Sequence, residues 1–222
     1  EIIAILKAGP GMSGITVTVT EGMRLTAIAS AVEEVTEGRV SSSAFIAAAK
    51  ASRWTSEFGF VQYAGDASLE GMLFPATYSV TPTSTADDLV RAMLTKFEAE
   101  MKDIDPTYPY DQGLSWYEML ILASIVQAES TPGDEAMVAS VFYNRILANI
   151  PLQSDATTAY AVDGVPTAEQ LADTTDPYNT YSYDRLGVCI PTPIGNPGLA
   201  ALEAVCHPAE SDYLYFYALS DD

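Results

Sequence analysis

The chain has 222 residues, 48% of them hydrophobic and 10% aromatic, which is enough to bury a core in one large domain or two small ones and too apolar for disorder. The 10 Lys and Arg against 30 Asp and Glu leave a net charge of −20, a field that repels phosphate backbones and anionic lipid surfaces and argues against nucleic acid as a partner. No run of about 18 apolar residues occurs, so nothing in the chain is expected to span a bilayer, and a start at Glu1 suggests a piece cut from a longer protein.

In chain order, the alternating β-branched residues of GITVTVTEG, Gly14 to Gly22, predict a strand. MRLTAIASAVEEV then places Leu25, Ile28 and Val32 on one helical face. SSSAFIAAAKA supplies serine caps for a short helix, and GMLFPATYSV, Gly71 to Val80, reads as a return strand interrupted by Pro75. TADDLVRAMLTKFEAEM, Thr85 to Met101, is a capped amphipathic helix, and DIDPTYPYDQG reads as a hinge beyond it. A helix from Ser115 to Glu129, a turn at STPGD and a helix from Glu135 to about Ala148 follow. The rest is rich in loops until a short helix near Leu199 to Val205 and a final aromatic strand, YLYFYAL. The expected class is α+β, with a small strand–helix–helix–strand unit and its connecting helix in residues 1–103 and a mixed helical and strand domain in residues 104–222.

Exclusions narrow the chemistry. His207 is the single histidine, so a Ser-His-Asp triad or a histidine-rich zinc site would have to be built around it alone. The neighbours Cys206 and His207 are poorly placed to aim at one ion, and Cys206 also reads as a small core residue on the helix face after Leu202. Glycine-rich phosphate loops are absent; no metal and no other cofactor is expected. What remains is carboxylate chemistry, and Glu129 leads it, because Leu122, Ile125 and Val126 precede it at helical spacings and can partly desolvate it. Desolvation favours the neutral form of a carboxyl, and a neutral acid can give a proton to a glycosidic oxygen. A solvated residue at a helix end would carry the same pattern.

Several blocks in order decide more than that one helix. LEGMLFPATY (Leu69 to Tyr78), ASIVQAES, VASVFYNRILANIPLQSDATTAY (Val138 to Tyr160), DPYNTY (Asp176 to Tyr181), PIGNPGLAALEAVCHPA and YLYFYA together resemble the MltG-like (YceG-like) endolytic murein transglycosylases over nearly the whole chain. The resemblance places the family's acid on Glu129, and its preceding Glu on Gln127, a departure that leaves one of the two acids. It places a saccharide-cleft rim on Asn144, Arg145, Gln153, Asp155, Tyr178, Asn179 and Tyr181, with Thr180 inside the Tyr-Asn-Thr-Tyr run. Amides and tyrosine faces suit sugars, since they offer paired donors and acceptors and a flat apolar surface with a wet tip. Each has a plainer reading as well: Asn144 holding its helix against a loop, Arg145 pairing with an acid, Asp155 capping the turn or helix at Ala156, and Tyr178 and Tyr181 as core aromatics.

The resemblance implies a lytic transglycosylase that cuts the MurNAc–GlcNAc β-1,4 bond inside nascent peptidoglycan strands and leaves 1,6-anhydroMurNAc ends. A non-catalytic peptidoglycan-binding scaffold for cell-wall synthases and a muramidase-type hydrolase remain as alternatives. It further implies a LysM-like N-terminal unit, glycan strands and cell-wall synthases as partners, and action outside the cytoplasmic membrane. The family's N-terminal transmembrane anchor and its C-terminal Gly-x-His and Glu-His block are not found in the sequence. In GVCIPTPIGNPG one residue is added and a proline lost relative to the family's loop. In that compartment Cys189 and Cys206 can form a disulfide, closing a loop of about 17 residues and pinning the altered segment by about 3 kcal/mol.

Overall fold

The computed structural model describes residues 15–217. Strands β1 (Ile15–Thr18) and β2 (Thr77–Val80) pair antiparallel, with Ile15 opposite Val80 and Val17 opposite Tyr78. Val17, Tyr78 and Val80 are buried, as period-two alternation requires of a sheet covered on one face. Gly14, where the strand was expected to begin, lies outside the described residues. The return strand is shorter than the expected Gly71 to Val80. Gly71 takes a φ of +86°, Pro75 has no N–H to give a ladder, and pairing begins only at Thr77.

Between the strands, α1 (Leu25–Val35) buries Leu25, Ile28, Ala29 and Val32 and lies on β1 and on α2 (Ser42–Ala48). The Ser41 hydroxyl caps α2 by accepting from the Ala44 N–H at 3.2 Å. Two 3₁₀ turns, Ala51–Arg53 and Gly59–Ala64, lead back to β2. Helix α3 (Ala86–Met101) opens with a reciprocal capping box between Thr85 and Asp88 and buries Leu89, Val90, Met93, Leu94 and Phe97 against α2 and β2. The result is α+β: a small antiparallel sheet within a mostly helical chain.

The stretch expected to be a hinge folds as a short helix, α4 (Thr107–Asp111), with Pro109 buried and the Tyr108 ring edge-on to Tyr143 at 4.9 Å. Then comes α5 (Trp116–Glu129), capped by Ser115 and Glu118 and buried at every position from Met119 to Val126. A helix that is apolar all round must be enclosed. Here α4, α6 (Glu135–Leu147), α7 (Asp155–Val162) and, beyond the outer α8 (Ala168–Ala172), α9 (Leu199–Cys206) surround it. The apolar core runs without a break from Val17 to Cys206, and Trp116 at the head of α5 joins it to Phe60 and Phe97 at centroid distances of 5.9 and 6.1 Å. Among the described residues no helix is long and apolar enough to cross a membrane.

The final aromatic strand does not form over Tyr213–Tyr217, which has no ladder partner among the described residues; its last two positions, Ala218 and Leu219, lie outside them. Side chains hold this segment instead. Asn144 donates to the Ser211 and Tyr213 carbonyls at 2.9 Å each, and Arg145 Nε donates to the Leu214 carbonyl at 2.6 Å.

A buried polar junction joins the first half of the chain to the second. Glu70, only 2% exposed, accepts from the Leu25 N–H at 3.0 and 3.1 Å, from Asn196 Nδ2 at 3.1 Å and from the Tyr160 hydroxyl at 3.1 Å. Burial pushes its carboxyl up to about 7, against the pull of the Leu25 N–H, the Tyr160 hydroxyl and the Arg24 charge. A carboxyl that holds its proton more tightly folded than unfolded adds stability at low pH and loses it as pH rises through the folded value. Wild-type stability should therefore fall relative to Glu70→Gln between about pH 4.5 and pH 7, by an amount on the order of 3 kcal/mol, in urea denaturation series across that range. A gap between the two proteins that stays constant with pH would contradict this reading.

Candidate active site

Glu129 is the last residue of α5, half-buried where the enclosed part of the helix ends. The apolar run before it is the inside of the central helix, and the acid stands where that helix emerges. Its Oε1 accepts a hydrogen bond from the Ser154 hydroxyl at 2.5 Å. Ser154 is 2% exposed and precedes α7; its N–H donates to Thr180 Oγ1 at 2.9 Å, and its carbonyl accepts from the Thr157 hydroxyl at 2.8 Å. One residue earlier, Gln153 adopts a left-handed φ of 52°, strained for a residue with a Cβ, and its N–H donates to the Thr180 carbonyl at 2.9 Å. The Leu152 carbonyl in turn accepts from Arg145 Nη1 at 2.5 Å. The Leu-Gln-Ser-Asp and Tyr-Asn-Thr-Tyr blocks are thus clamped to each other beside the acid.

Two more of the expected residues gather here. Burial, which leaves Arg145 6% exposed, holds its guanidinium below the usual range, against the smaller opposing influences of Tyr215, Tyr181 and Glu129. Burial pushes the Tyr181 phenol well up; its hydrogen bond to Asp155 and the negative charges of Asp155 and Glu129 push the same way. Tyr181 donates to Asp155 Oδ1. Asp155 does not act as a cap: Ser154 occupies the cap position, Asp155 is the first helical residue, and its carboxylate turns outward to Tyr181.

The others point elsewhere. The Asn144 amide is held by Ser211 and Tyr213 and lines a cavity of about 640 Å³ with Asp105, Tyr108, Asp111 and His207, which Glu129 does not line. Asn179 is fully buried, donating to the Leu171 carbonyl and accepting from the Tyr181 N–H, both at 2.8 Å. Tyr178 shares a 2.6 Å hydrogen bond with the Thr192 hydroxyl and packs at a tilt on Tyr160, ring centroids 5.2 Å apart, which leads to Glu70. Gln127 is also committed: its Oε1 accepts from the Gly198 N–H at 2.8 Å, holding the start of α9. Ser154 escaped the sequence reading. A serine before a helix is ordinarily read as its cap, and only the fold brings it to an acid 25 residues away.

The expected disulfide is not formed, and both cysteines are free. Cys206 faces inward from α9, its sulfur 3.6 Å from Met119 Sδ, and burial pushes its thiol up to about 12. Cys189 is half-buried and directed at the Arg185 carbonyl at 3.5 Å. The altered loop is pinned by other means. Ile194 N–H donates to Ser124 Oγ at 3.0 Å, and Asn196 donates to the Met23 carbonyl from Nδ2 at 2.8 Å and from its backbone N–H at 3.1 Å. A Cβ at Gly195 would lie 2.5 Å from the Gly22 carbonyl oxygen, so only glycine permits that close approach.

Fold and site together define an α+β protein with a half-buried carboxyl at the end of an enclosed central helix, hydrogen-bonded to a buried serine. The chain belongs to the YceG-like family, whose sequence model matches residues 1–222. An endolytic murein transglycosylase of Bacillus subtilis is 33% identical over 234 residues, covering 99% of this chain and 63% of its own length. One from Streptococcus pneumoniae is 36% identical over 160 residues, covering 68% of this chain and 28% of its own. The crystal structure of a YceG-like protein from Listeria monocytogenes matches with a TM-score of 0.79 at 27% identity, covering 98% of this chain and 74% of that one. The chain therefore spans less than two thirds of the length of these curated relatives.

Intact mass of the non-reduced protein should show two free thiols. Under native alkylation Cys189 should label well before Cys206, which should react only on unfolding, because the reactive species is the thiolate and burial suppresses it most at Cys206.

Proposed function

We propose that the chain is an endolytic peptidoglycan lytic transglycosylase, cleaving the MurNAc–GlcNAc β-1,4 bond within nascent strands, leaving 1,6-anhydroMurNAc ends and so ending strand elongation. The observation that carries this reading is Glu129, a single acid half-buried at the end of α5 with a donor on one oxygen. The names of the Bacillus and Streptococcus relatives support the same activity.

In this mechanism neutral Glu129 protonates the glycosidic oxygen, the C1–O bond breaks, and the muramic sugar takes on oxocarbenium character. The resulting carboxylate accepts the proton of the muramic C6 hydroxyl as that oxygen bonds to C1. The acid is regenerated and no water is consumed. One carboxyl therefore serves both steps, whereas a hydrolase needs a partner: a base about 6.5 to 9.5 Å away for inversion or a nucleophile at about 5 Å for retention. Asp155 is the neighbouring candidate for such a partner, and its engagement by Tyr181 favours the single-acid route. Tyr181 and Gln153 would form the part of the rim nearest the acid, with Asp155 beside them and the buried Arg145 fixing the turn beneath. Asn144, Asn179 and Tyr178 would serve that rim indirectly, by fixing the segments that bear it.

Residues up to about 103 would act as a LysM-like unit that grips N-acetylated glycan and sets where the cut falls; their strand–helix–helix–strand order supports this assignment. Residues from 104 onward would carry the cutting site. The work would be done on the outer face of the cytoplasmic membrane, with cell-wall synthases as partners and an N-terminal anchor in the whole protein.

Glu129→Gln should fold as wild type and lose about 10² to 10⁴ in rate, since an amide matches the carboxyl in shape but cannot transfer the proton. Release of anhydro-ended fragments from nascent glycan, followed by mass spectrometry, measures it; wild-type release by the variant would sink the assignment. Asp155→Asn should be clearly milder. Equal loss in a folded protein, with reducing-end products in place of anhydro ends, would make the chain a hydrolase.

A further inference from the structure

We infer that Ser154 is the positioning residue of Glu129: it holds Oε1 in place and leaves Oε2 as the oxygen that gives and recovers the proton. The inference rests on the transglycosylase reading above and adds to it the choice of oxygen and the device that makes the choice.

The geometry is that of a prepared donor. Ser154 stands at the cap position of α7, where a serine oxygen ordinarily turns inward to accept from an unsatisfied helical N–H. This one makes no such bond and points its hydroxyl proton at Glu129 Oε1, 2.5 Å away. The backbone beneath it has little freedom to do otherwise. Its N–H is tied to Thr180 Oγ1, its carbonyl receives the Thr157 hydroxyl and, at 3.2 Å, the Thr180 hydroxyl, and the strained turn at Gln153 is closed on the Thr180 carbonyl. Arg145 fixes the Leu152 carbonyl at the other end of the turn. Five hydrogen bonds thus aim one hydroxyl.

The chemistry follows from the hydrogen's position. An oxygen that accepts from Ser154 along that direction cannot also present its own proton there, so in the neutral acid the proton sits on Oε2. A carboxyl held by one oxygen keeps the other at a fixed place for both halves of the reaction: delivery to the leaving oxygen and recovery from the C6 hydroxyl. Without the serine the carboxyl rotates about its terminal bond, whose preference is broad, and spends less time in the productive orientation. At 2% exposure Ser154 is too buried to grip the glycan itself.

The test is steady-state kinetics on uncrosslinked glycan strands with anhydro-ended products counted by mass spectrometry, using wild type, Ser154→Ala, Ser154→Cys, Ser154→Thr and Glu129→Gln. Thermal melting and circular dichroism accompany each. Ser154→Cys keeps the size with only a weak donor, so it carries the test if the alanine variant fails to fold. Alanine and cysteine should lower kcat by about ten-fold or more with KM within about two-fold of wild type, and threonine should restore most of the loss. An unchanged kcat in the alanine or cysteine variant beside an inactive Glu129→Gln would overturn the positioning role and leave the transglycosylase reading standing. A rise in KM alone would overturn it too, making Ser154 a substrate contact, as would a threonine variant no better than alanine. Wild-type turnover by Glu129→Gln, or an absence of anhydro ends from the wild type, would bring down the transglycosylase reading and this role with it.

Discussion

Asn196 and Glu70 form the contact on which the arrangement of the two halves depends. Asn196 is fully buried; its amide donates to the Met23 carbonyl and to Glu70, and its Oδ1 accepts from the Leu73 N–H at 2.8 Å. Its backbone exchanges hydrogen bonds with Gly22 and Met23, so the turn after β1 is laced to the loop before α9. A buried amide or carboxylate left without partners is costly, typically about 1–3 kcal/mol per group and more when charged. The two halves therefore have one favourable way to meet. Arg24 reinforces it from the rim, its guanidinium 5.0 Å above the Tyr160 ring and 2.9 Å from Asp163.

That junction reaches the acid through α5. The loop pinned by Asn196 is also tied to the central helix, by Ser124 in its enclosed part and by Gln127 near its end. Gln127 serves that loop with an uncharged group. A neutral amide oxygen accepts the Gly198 N–H without placing a second negative charge two residues from Glu129, in a chain already carrying −20. From the other side Arg145 and Thr180 fix the Ser154 turn. The Glu129 carboxyl lies between these two supports, one acting through its own helix and one through the Ser154 hydroxyl.

Much of this was legible from local pattern. The helix from Ala86 announced itself by the cap at Thr85, closed in the fold as a box with Asp88, because a cap is satisfied within one turn of chain, and the helix from Trp116 by its apolar spacing. The strand β1 followed from alternating β-branched residues, and the end of α5 at Glu129 from an apolar run that stops there. Errors came where a local signal had a competing distant use. Tyr213–Tyr217 has the composition of a strand, yet Asn144 and Arg145 took the Tyr213 and Leu214 carbonyls that pairing would have used. Two cysteines 17 residues apart looked fit for a bridge, yet α9 turned one of them into the core against Met119.

The sequence by itself determined the first strand, the helices from Leu25, Ser42, Ala86, Trp116, Glu135 and Leu199, the α+β class and the resemblance that named the family, since these rest on periodicity, on capping and on blocks of residues in order. Tertiary structure alone decided which polar groups meet. Glu70 and Asn196 are 126 residues apart, Asn144 and Ser211 are 67, and Ser154 lies 25 from the carboxyl it holds. A side-chain amide or hydroxyl can serve a sugar, a helix end or a buried backbone group equally well by its chemistry. Which of these it serves is set by the requirement that every polar group enclosed in the fold finds a partner, a condition on the whole molecule that no short stretch of chain can express.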